Sequence, residues 1–221
     1  MAKKTVRVDE PDPILEALSR GAEWVMANRF LVAGVLVMVL VVAGAVTGWV
    51  YHRNKLEEKG ALAFSRAMRM YKGLSPQAKK EEMEGVVGAF EKVVKDYPDS
   101  KWAHFAHLYM GNCYRRMGNK DKAVKEYELG VEGIKSEKYL YPQWLTALAI
   151  TQGPDKGIST LEKGLKGEKP FLEPYLLYNL ALLYQEKGDL EKTAKILEEL
   201  SGKYPSSPFG LEARRLLEVL K

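Results

Sequence analysis

Cysteine is nearly absent from this chain, since Cys113 is the only one among 221 residues. A single thiol excludes an internal disulfide and a cysteine-based zinc site. A basic tract is missing as well, because 34 Lys and Arg are interleaved with 29 Asp and Glu along the chain. Alternating charges are typical of solvated helix faces, so we predict no nucleic-acid partner.

Catalytic and metal-binding motifs are also missing from the sequence. It contains no glycine-rich phosphate loop, no paired metal motif and no nucleophile elbow. His104 and His107 are three residues apart on a predicted helix, but no carboxylate or cysteine completes a metal site in sequence. We therefore predict that the protein is not an enzyme and has no catalytic residues, cofactor, metal or small-molecule substrate.

One long hydrophobic run is present near the N-terminus. Residues Phe30 to Val50 carry no charge, and these 21 positions reach about 31 Å as a helix, the thickness of a hydrocarbon core. This predicts a transmembrane helix over 30–50 behind a charged tail over 1–29. A cleaved signal peptide is the alternative, because Ala43-Gly44-Ala45 resembles a cleavage site. The preceding tail is longer and more acidic than such peptides usually have.

Residues that favour a membrane interface flank this run. Arg29 closes it on one side, and Trp49, Tyr51 and Arg53 close it on the other as aromatic and basic membrane anchors. The basic residues nearest its two ends would keep the C-terminal part in the cytoplasm, whereas counting the complete tail balances the two sides. Charge alone therefore leaves the orientation open.

From Leu56 onward the sequence predicts an all-α fold. Amphipathic segments alternate with Gly-Asn, Gly-Asp, Tyr-Pro and Ser-Pro steps, without the alternation of β-strands. Residues 104–137 resemble a tetratricopeptide repeat, and 138–171 and 174–207 resemble it more weakly. The resemblance of 104–137 rests on Met110-Gly111, Tyr114, Gly118-Asn119, Ala123 and Tyr127. It implies an α-solenoid of helix hairpins over 51–221.

Two kinds of residue are predicted to pack these hairpins. Small residues allow the paired antiparallel helices to cross closely, and tyrosines fill the space beside the crossing. The predicted packing residues are Gly111, Tyr114, Ala123, Tyr127, Ala181 and Tyr184.

Helix ends and the two ends of the stack can also be placed. Tyr97-Pro98 and Tyr204-Pro205 each end a helix, after which Ser100 and Ser207 can cap the next one. An earlier hairpin over 56–100 pairs a helix over 56–72 with one over 81–98. Segment 207–221 is predicted to cover the end of the stack as a capping helix. The residues predicted to do so are Leu211, Leu216, Leu217 and Leu220.

The layout of the complete chain resembles the YfgM-like family of bacterial inner-membrane proteins. The resemblance rests on the short charged tail, the anchor ending Gly48-Trp49-Val50-Tyr51, the segment Ala61-Leu62-Ala63-Phe64-Ser65 and the degenerate repeats. It implies a single span with a cytoplasmic N-terminus and a periplasmic repeat domain. It also implies a role in export beside the SecYEG translocon, with a membrane-anchored prolyl isomerase as partner. The Tyr-Pro-Asp-Ser unit is similar to envelope-assembly lipoproteins and cell-division coordinators, which lack this anchor.

Two function classes follow from this reading: a chaperone-like export subunit with broad client binding, or an adaptor that holds one specific partner complex at the membrane. An exposed apolar groove favours the first, and a groove lined by fixed Asn, Lys or Arg for a peptide carboxylate favours the second. Candidates for that site are Asn112, Asn119 and Asn179. The aromatic residues predicted to bind partners, or alternatively to pack the repeats, are Trp102, Phe105, Tyr109 and Trp144.

Overall fold

The computed structural model describes residues 13–166 and 172–220. Within these ranges the chain forms α-helices and connecting turns, and no strand is present, as the sequence predicts. Contacts divide the chain into two units, 1–54 and 55–221. Residues 1–12 of the predicted tail over 1–29, residues 167–171 at the end of the 138–171 repeat and Lys221 lie outside the described residues. The helices are α1 Pro13–Ala27, α2 Arg29–Gly73, α3 Lys80–Asp96, α4 Lys101–Arg116, α5 Lys120–Gly133, α6 Tyr141–Gln152, α7 Pro154–Leu165, α8 Glu173–Lys187, α9 Leu190–Lys203 and α10 Pro208–Val219.

The first unit contains α1 and the apolar part of α2. Helix α1 lies inside the segment predicted to be only a charged tail, so the sequence reading missed a helix there. Its spacing was the signal: Leu18 and Val25 are seven residues apart on one face, opposite Glu16 and Glu23. Helix α2 contains a stretch that is long and apolar enough to cross a membrane.

The second unit begins with the C-terminal part of α2, which packs on α3. The rings of Phe64 and Phe90 are 5.6 Å apart, and those of Tyr71 and Phe90 are 6.4 Å apart. Phe90 and Val93 are buried, as predicted. The C-terminal part of α2 therefore packs on α3, and α4 contacts both of these helices.

Local signals set the ends of the following helices. The Ser100 hydroxyl accepts a hydrogen bond from the Ala103 amide, and the Ser207 hydroxyl accepts one from the Gly210 amide, which confirms both predicted caps. Gly118 and Gly188 have φ angles of 75° and 82°, a left-handed conformation that glycine adopts without strain. Each glycine ends the first helix of a hairpin one residue before the cap of the second.

Helix α10 closes the C-terminal end of the stack. Ala213 is completely buried against Leu197 and Leu200, and the hydrophobic side chains of 216, 217 and 220 are half-buried against the same cluster. The prediction for Leu211 was wrong, because this side chain is 51% exposed. Leu211 lies two residues before the buried Ala213, which is about 200° of helix rotation, so its side chain lies on the opposite face of α10.

Candidate protein-binding surface

The four aromatic residues predicted to bind partners lie on two first helices of successive hairpins. Trp102, Phe105 and Tyr109 follow the Ser100 cap on α4, with spacings of three and four residues that place them on one stripe. Trp144 lies on α6, and its ring centroid is 5.3 Å from that of Tyr109. The structure therefore brings all four into one continuous row, which we call the aromatic row.

Each ring of the aromatic row is half-buried and contacts other rings. Phe64 of α2 lies 5.2 Å from Trp102 and 6.2 Å from Phe105. Tyr109 stacks on Phe90 at 5.7 Å with nearly parallel planes. Ring pairs of this kind stabilise a core beyond the area that they bury. The row thus joins four helices, α2, α3, α4 and α6, and a partner would contact only its outer edge.

An open apolar groove of about 500 Å³ lies beside the aromatic row, between α2 and the start of α4. Trp102 is the member of the row that lines it, and Leu62 in its wall is 58% exposed. The sequence analysis named Leu62 only for the family resemblance, and it predicted neither Leu62 nor Met68 to line a binding surface. Both residues lie on the first helix of the stack, which no preceding repeat covers. This position was the feature of the sequence that could have indicated their exposure. The remaining lining residues are Glu58, Ala61, Phe64 and Ser65.

A second groove of about 480 Å³ lies between α7, α8 and α9 and combines apolar and charged groups. Leu177, Leu180 and Ile196 are among its apolar lining residues, and Lys192 and Lys195 add positive charge. Lys192 is already engaged, since its ammonium group lies 3.4 Å from Asp189 and 5.0 Å from the Tyr184 ring centroid. The sequence reading missed this groove because its residues come from three separate helices.

The predicted packing residues of the 104–137 hairpin lie at the crossing of α4 and α5. A Cβ atom at Gly111 would lie 2.7 Å from Cδ1 of Tyr127, so only glycine leaves space for that ring. Tyr127 and Ala123 are fully buried, and Tyr114 is half-buried beside them. Burial raises the pKa of Tyr127, and its hydroxyl donates a 2.5 Å hydrogen bond to Oδ1 of Asn112.

The corresponding residues of the last hairpin pack in two directions: Ala181 toward α9 and α10, and Tyr184 toward the hairpin before it. Ala181 is fully buried and Tyr184 is buried in the cluster between α7 and α8. The Tyr184 hydroxyl donates a 2.7 Å hydrogen bond to Oε1 of Glu162 on α7. Burial and this carboxylate raise the pKa of Tyr184 to about 12, so the phenol is neutral at physiological pH.

The three asparagines considered for a peptide-carboxylate site all have internal partners. Asn112 accepts from the Tyr127 hydroxyl, and the Asn119 side chain accepts from the Lys122 amide as the cap of α5. Asn179 is buried and donates to the Tyr175 carbonyl. These bonds assign the three asparagines to helix packing and helix capping.

The two histidines on α4 point to different neighbours on α5. His107 Nδ1 lies 2.6 Å from Oε2 of Glu126, and the His104 ring occupies the space beside Gly133. Among the described residues, no group of three potential metal ligands is present. Cys113 is fully buried, and burial raises the pKa of its thiol to about 11, so it is a neutral core residue.

The predicted anchor residues lie at both ends of the apolar part of α2. Arg29 lies over the ring of Phe30 at 5.2 Å, and Arg53 lies over the ring of Trp49 at 5.3 Å. Trp49 and Tyr51 are 61% and 63% exposed. The side chains are therefore arranged as aromatic and basic pairs around an exposed apolar helix.

Comparison with known proteins agrees with the helix-hairpin architecture. The family described as tetratricopeptide repeat-like domain matches residues 23–163, which is more than half of the chain. The chain belongs to the tetratricopeptide repeat-like domain family. A second match, to the tetratricopeptide repeat, covers residues 175–207. The family assignment makes the chain a protein-interaction scaffold, because repeats of this fold typically bind proteins without catalysis.

Solved structures show the same fold at low sequence identity. The nearly identical TPR-like repeats of a protein described as a kinesin light chain from Podosopora anserina are 18% identical, with a TM-score of 0.50. The match covers 76% of this chain and 86% of that one, and a variant of the same protein matches equally well. No curated protein matches the chain.

Proposed function

We propose that the protein is a single-span scaffold of the bacterial inner membrane that serves the Sec export machinery as an ancillary subunit or chaperone. The observation that carries this proposal is the combination of a protein-binding repeat domain with a membrane-length apolar helix in one chain. None of the most apolar stretch of α2 is buried by the rest of the protein. Burial in a bilayer would remove this surface from water at a favourable free energy.

The aromatic row and the groove beside it are the proposed client-binding surface. Trp102, Leu62 and Met68 present adjacent apolar surface, and half-buried aromatic residues are rigid contacts for apolar peptide segments. An apolar groove without a fixed charge pattern favours many weak clients over one specific ligand. Asn112 and Asn179 already form hydrogen bonds inside the protein. These bonds disfavour the alternative function, an adaptor that binds a peptide carboxylate.

Topology is the first test of this proposal. The tail is cytoplasmic and the repeat domain periplasmic, so protease added to spheroplasts should digest residues 51–221 and spare the tail. A reporter enzyme that is active only in the periplasm should be active when fused to the C-terminus. A reporter that is active only in the cytoplasm should be inactive there. If protease removes only the first 29 residues, the export role is wrong and a cytoplasmic adaptor replaces it.

Site-specific crosslinking separates the two function classes. A photoreactive amino acid at Leu62 should capture several exported polypeptides and translocon subunits. The same group at Leu129, which is 46% exposed on the second helix α5, is the matched control and should capture few. One dominant partner at Leu62 would favour the adaptor, and equal capture at the two positions would contradict the groove assignment.

A further inference from the structure

Helix α1 exposes a broad apolar face beside the proposed membrane span. Leu18 and Val25 lie at its centre and are 64% and 44% exposed, and Trp24 is 57% exposed at one border. The opposite side carries Glu16, Arg20, Glu23 and Ser19. Such a division is typical of a helix that lies at a boundary between water and an apolar phase.

The chain itself places α1 next to the bilayer. Only Asn28 separates Ala27, the end of α1, from Arg29, the start of α2. Even a fully extended chain from Val25 to Phe30 would span at most about 18 Å. If α2 crosses a membrane from Phe30 onward, the nearest apolar phase to the face of α1 is the acyl region just below the lipid headgroups.

The junction between the two helices allows a change of direction. The Trp24 carbonyl accepts hydrogen bonds from both the Asn28 amide at 2.9 Å and the Asn28 side chain at 2.8 Å. Asn28 itself lies in a turn, and the next bond across the junction runs from the Val32 amide to its carbonyl. A side chain that competes for a helix carbonyl is a recognised cause of a kink.

The charges of α1 distinguish among possible membrane contacts. Arg20 forms a 3.5 Å ion pair with Glu16 within the helix, and Glu23 leaves the helix with a net negative charge. Attraction to anionic headgroups would require Lys and Arg on the polar face. Insertion of α1 must therefore come from apolar burial alone.

We infer that α1 lies in the membrane surface as an interfacial helix, with Leu18 and Val25 among the upper acyl chains and Glu16 and Glu23 toward water. This inference rests on the proposed function, since it requires the span. Helix α1 then holds the chain against the membrane surface at the point where α2 enters the bilayer. Its insertion should be the same in zwitterionic and anionic membranes and insensitive to salt.

The test uses the full-length chain reconstituted in phosphatidylcholine vesicles, with Cys113 replaced by alanine and one spin label per protein. Labels at positions 18 and 25 report on the apolar face, and labels at 19 and 23 report on the polar face. Power-saturation measurements with oxygen and a water-soluble nickel complex give the depth of each label. Labels at 18 and 25 should lie about 5–10 Å below the headgroups, and those at 19 and 23 should be in water.

Matched variants and a reference label make the outcomes separable. Leu18→Lys should bring the label at 25 into water, while Ser19→Lys should leave its depth unchanged. Equal water access on both faces would overturn the inference, and so would spin–spin broadening that shows α1 packed on a second copy. A label at Val39 in the span tests the proposed function separately, because water access there means that the span itself is wrong. Depths that change when anionic phosphatidylglycerol is added would also contradict the apolar mechanism.

Discussion

Gly111 illustrates how much a single position contributes to this fold. The ring of Tyr127 occupies the space that a side chain at position 111 would need. The Tyr127 hydroxyl donates a hydrogen bond to Asn112, the next residue along α4. Gly157 has the same role in the next hairpin, where an added Cβ atom would collide with the Ala149 carbonyl of α6. Glycine is therefore required at these crossings for close approach of the helices, although it weakens the helix itself.

Replacing Gly111 by leucine should destabilise the repeat domain. The new side chain would displace the Tyr127 ring, and overpacking of this kind costs on the order of 1–3 kcal/mol. Gly85→Leu is the matched control, because Gly85 lies in α3 with open space around it. Urea unfolding followed by circular dichroism should show a lower midpoint for Gly111→Leu alone. Equal midpoints for the two variants would mean that the crossing is misplaced.

The aromatic row predicts a graded response to alanine substitution. Tyr109 contacts Phe64, Tyr71, Phe90 and Trp144, so Tyr109→Ala should lower the unfolding midpoint strongly. Trp102 lines the groove, so Trp102→Ala should lower the midpoint less and reduce crosslinking at Leu62 more.

Phe90→Ala provides the packing reference for this series. Phe90 is fully buried, and its removal should cost about 3–5 kcal/mol. If Trp102→Ala destabilises the domain as much as Phe90→Ala and leaves crosslinking unchanged at a temperature where the fold persists, the aromatic row is core and not a binding surface. The same criterion applies to Phe105 and Trp144.

At the scale of elements, neighbouring hairpins are joined by side-chain bonds as well as by apolar contact. The bond from Tyr184 on α8 to Glu162 on α7 links two hairpins, and the pair formed by Lys203 and Glu173 links α9 with α8 inside one hairpin. The Tyr184 phenol must stay protonated to donate its bond. Ionisation of the phenol at alkaline pH therefore removes this hydrogen bond between α7 and α8.

Stability should fall at high pH through Tyr184. Because its pKa is raised from 10.0 to about 12 in the folded state, the stabilisation is complete below pH 10 and is lost as pH rises toward 12. Tyr184→Phe should reduce this loss and cost about 1 kcal/mol at neutral pH by removing the hydrogen bond. Tyr139→Phe is the control, since Tyr139 is 67% exposed. Chemical denaturation at several pH values measures both effects, and identical pH profiles for Tyr184→Phe and the unaltered protein would contradict the assignment.

Prediction at the scale of elements depended on local signals. Ser100 and Ser207 identified helix starts correctly because a cap needs only a serine and the amide three residues later. Helix α1 was missed because its charged side, with Glu16, Arg20 and Glu23, resembles a solvated tail when its apolar spacing is not considered. Leu211 was misassigned because its hydrophobicity was considered without its helical position, which lies on the face opposite Leu220.

For the whole molecule, the repeat domain should fold without the apolar part of α2. Residues 55–221 form one contact unit whose three buried clusters draw only on residues of that unit. A fragment of residues 55–221 should therefore be soluble in the absence of detergent and show a strongly helical circular dichroism spectrum with a cooperative thermal transition. Substantial β-structure, or a fragment that requires detergent to stay in solution, would contradict this division.

The sequence alone determined the features that depend on neighbouring residues. These are the all-α class, the caps and turns, the apolar run over 30–50 and the small and aromatic positions of the hairpin over 104–137. Each arises from spacing within one or two helices, where 3.6 residues per turn sets which side chains share a face. The identity of the packing residues Gly111 and Tyr127 was predictable for the same reason.

Only the tertiary structure decided which of these faces meet. It placed Phe64 of α2 against both Trp102 and Phe105 of α4 and left Leu62 exposed beside them. It also made the side-chain oxygen of Asn112 the acceptor for the Tyr127 hydroxyl. These contacts join residues more than a dozen positions apart, so no local pattern encodes them. They depend on the distance between helices, which is set by the volume of every side chain at the crossing.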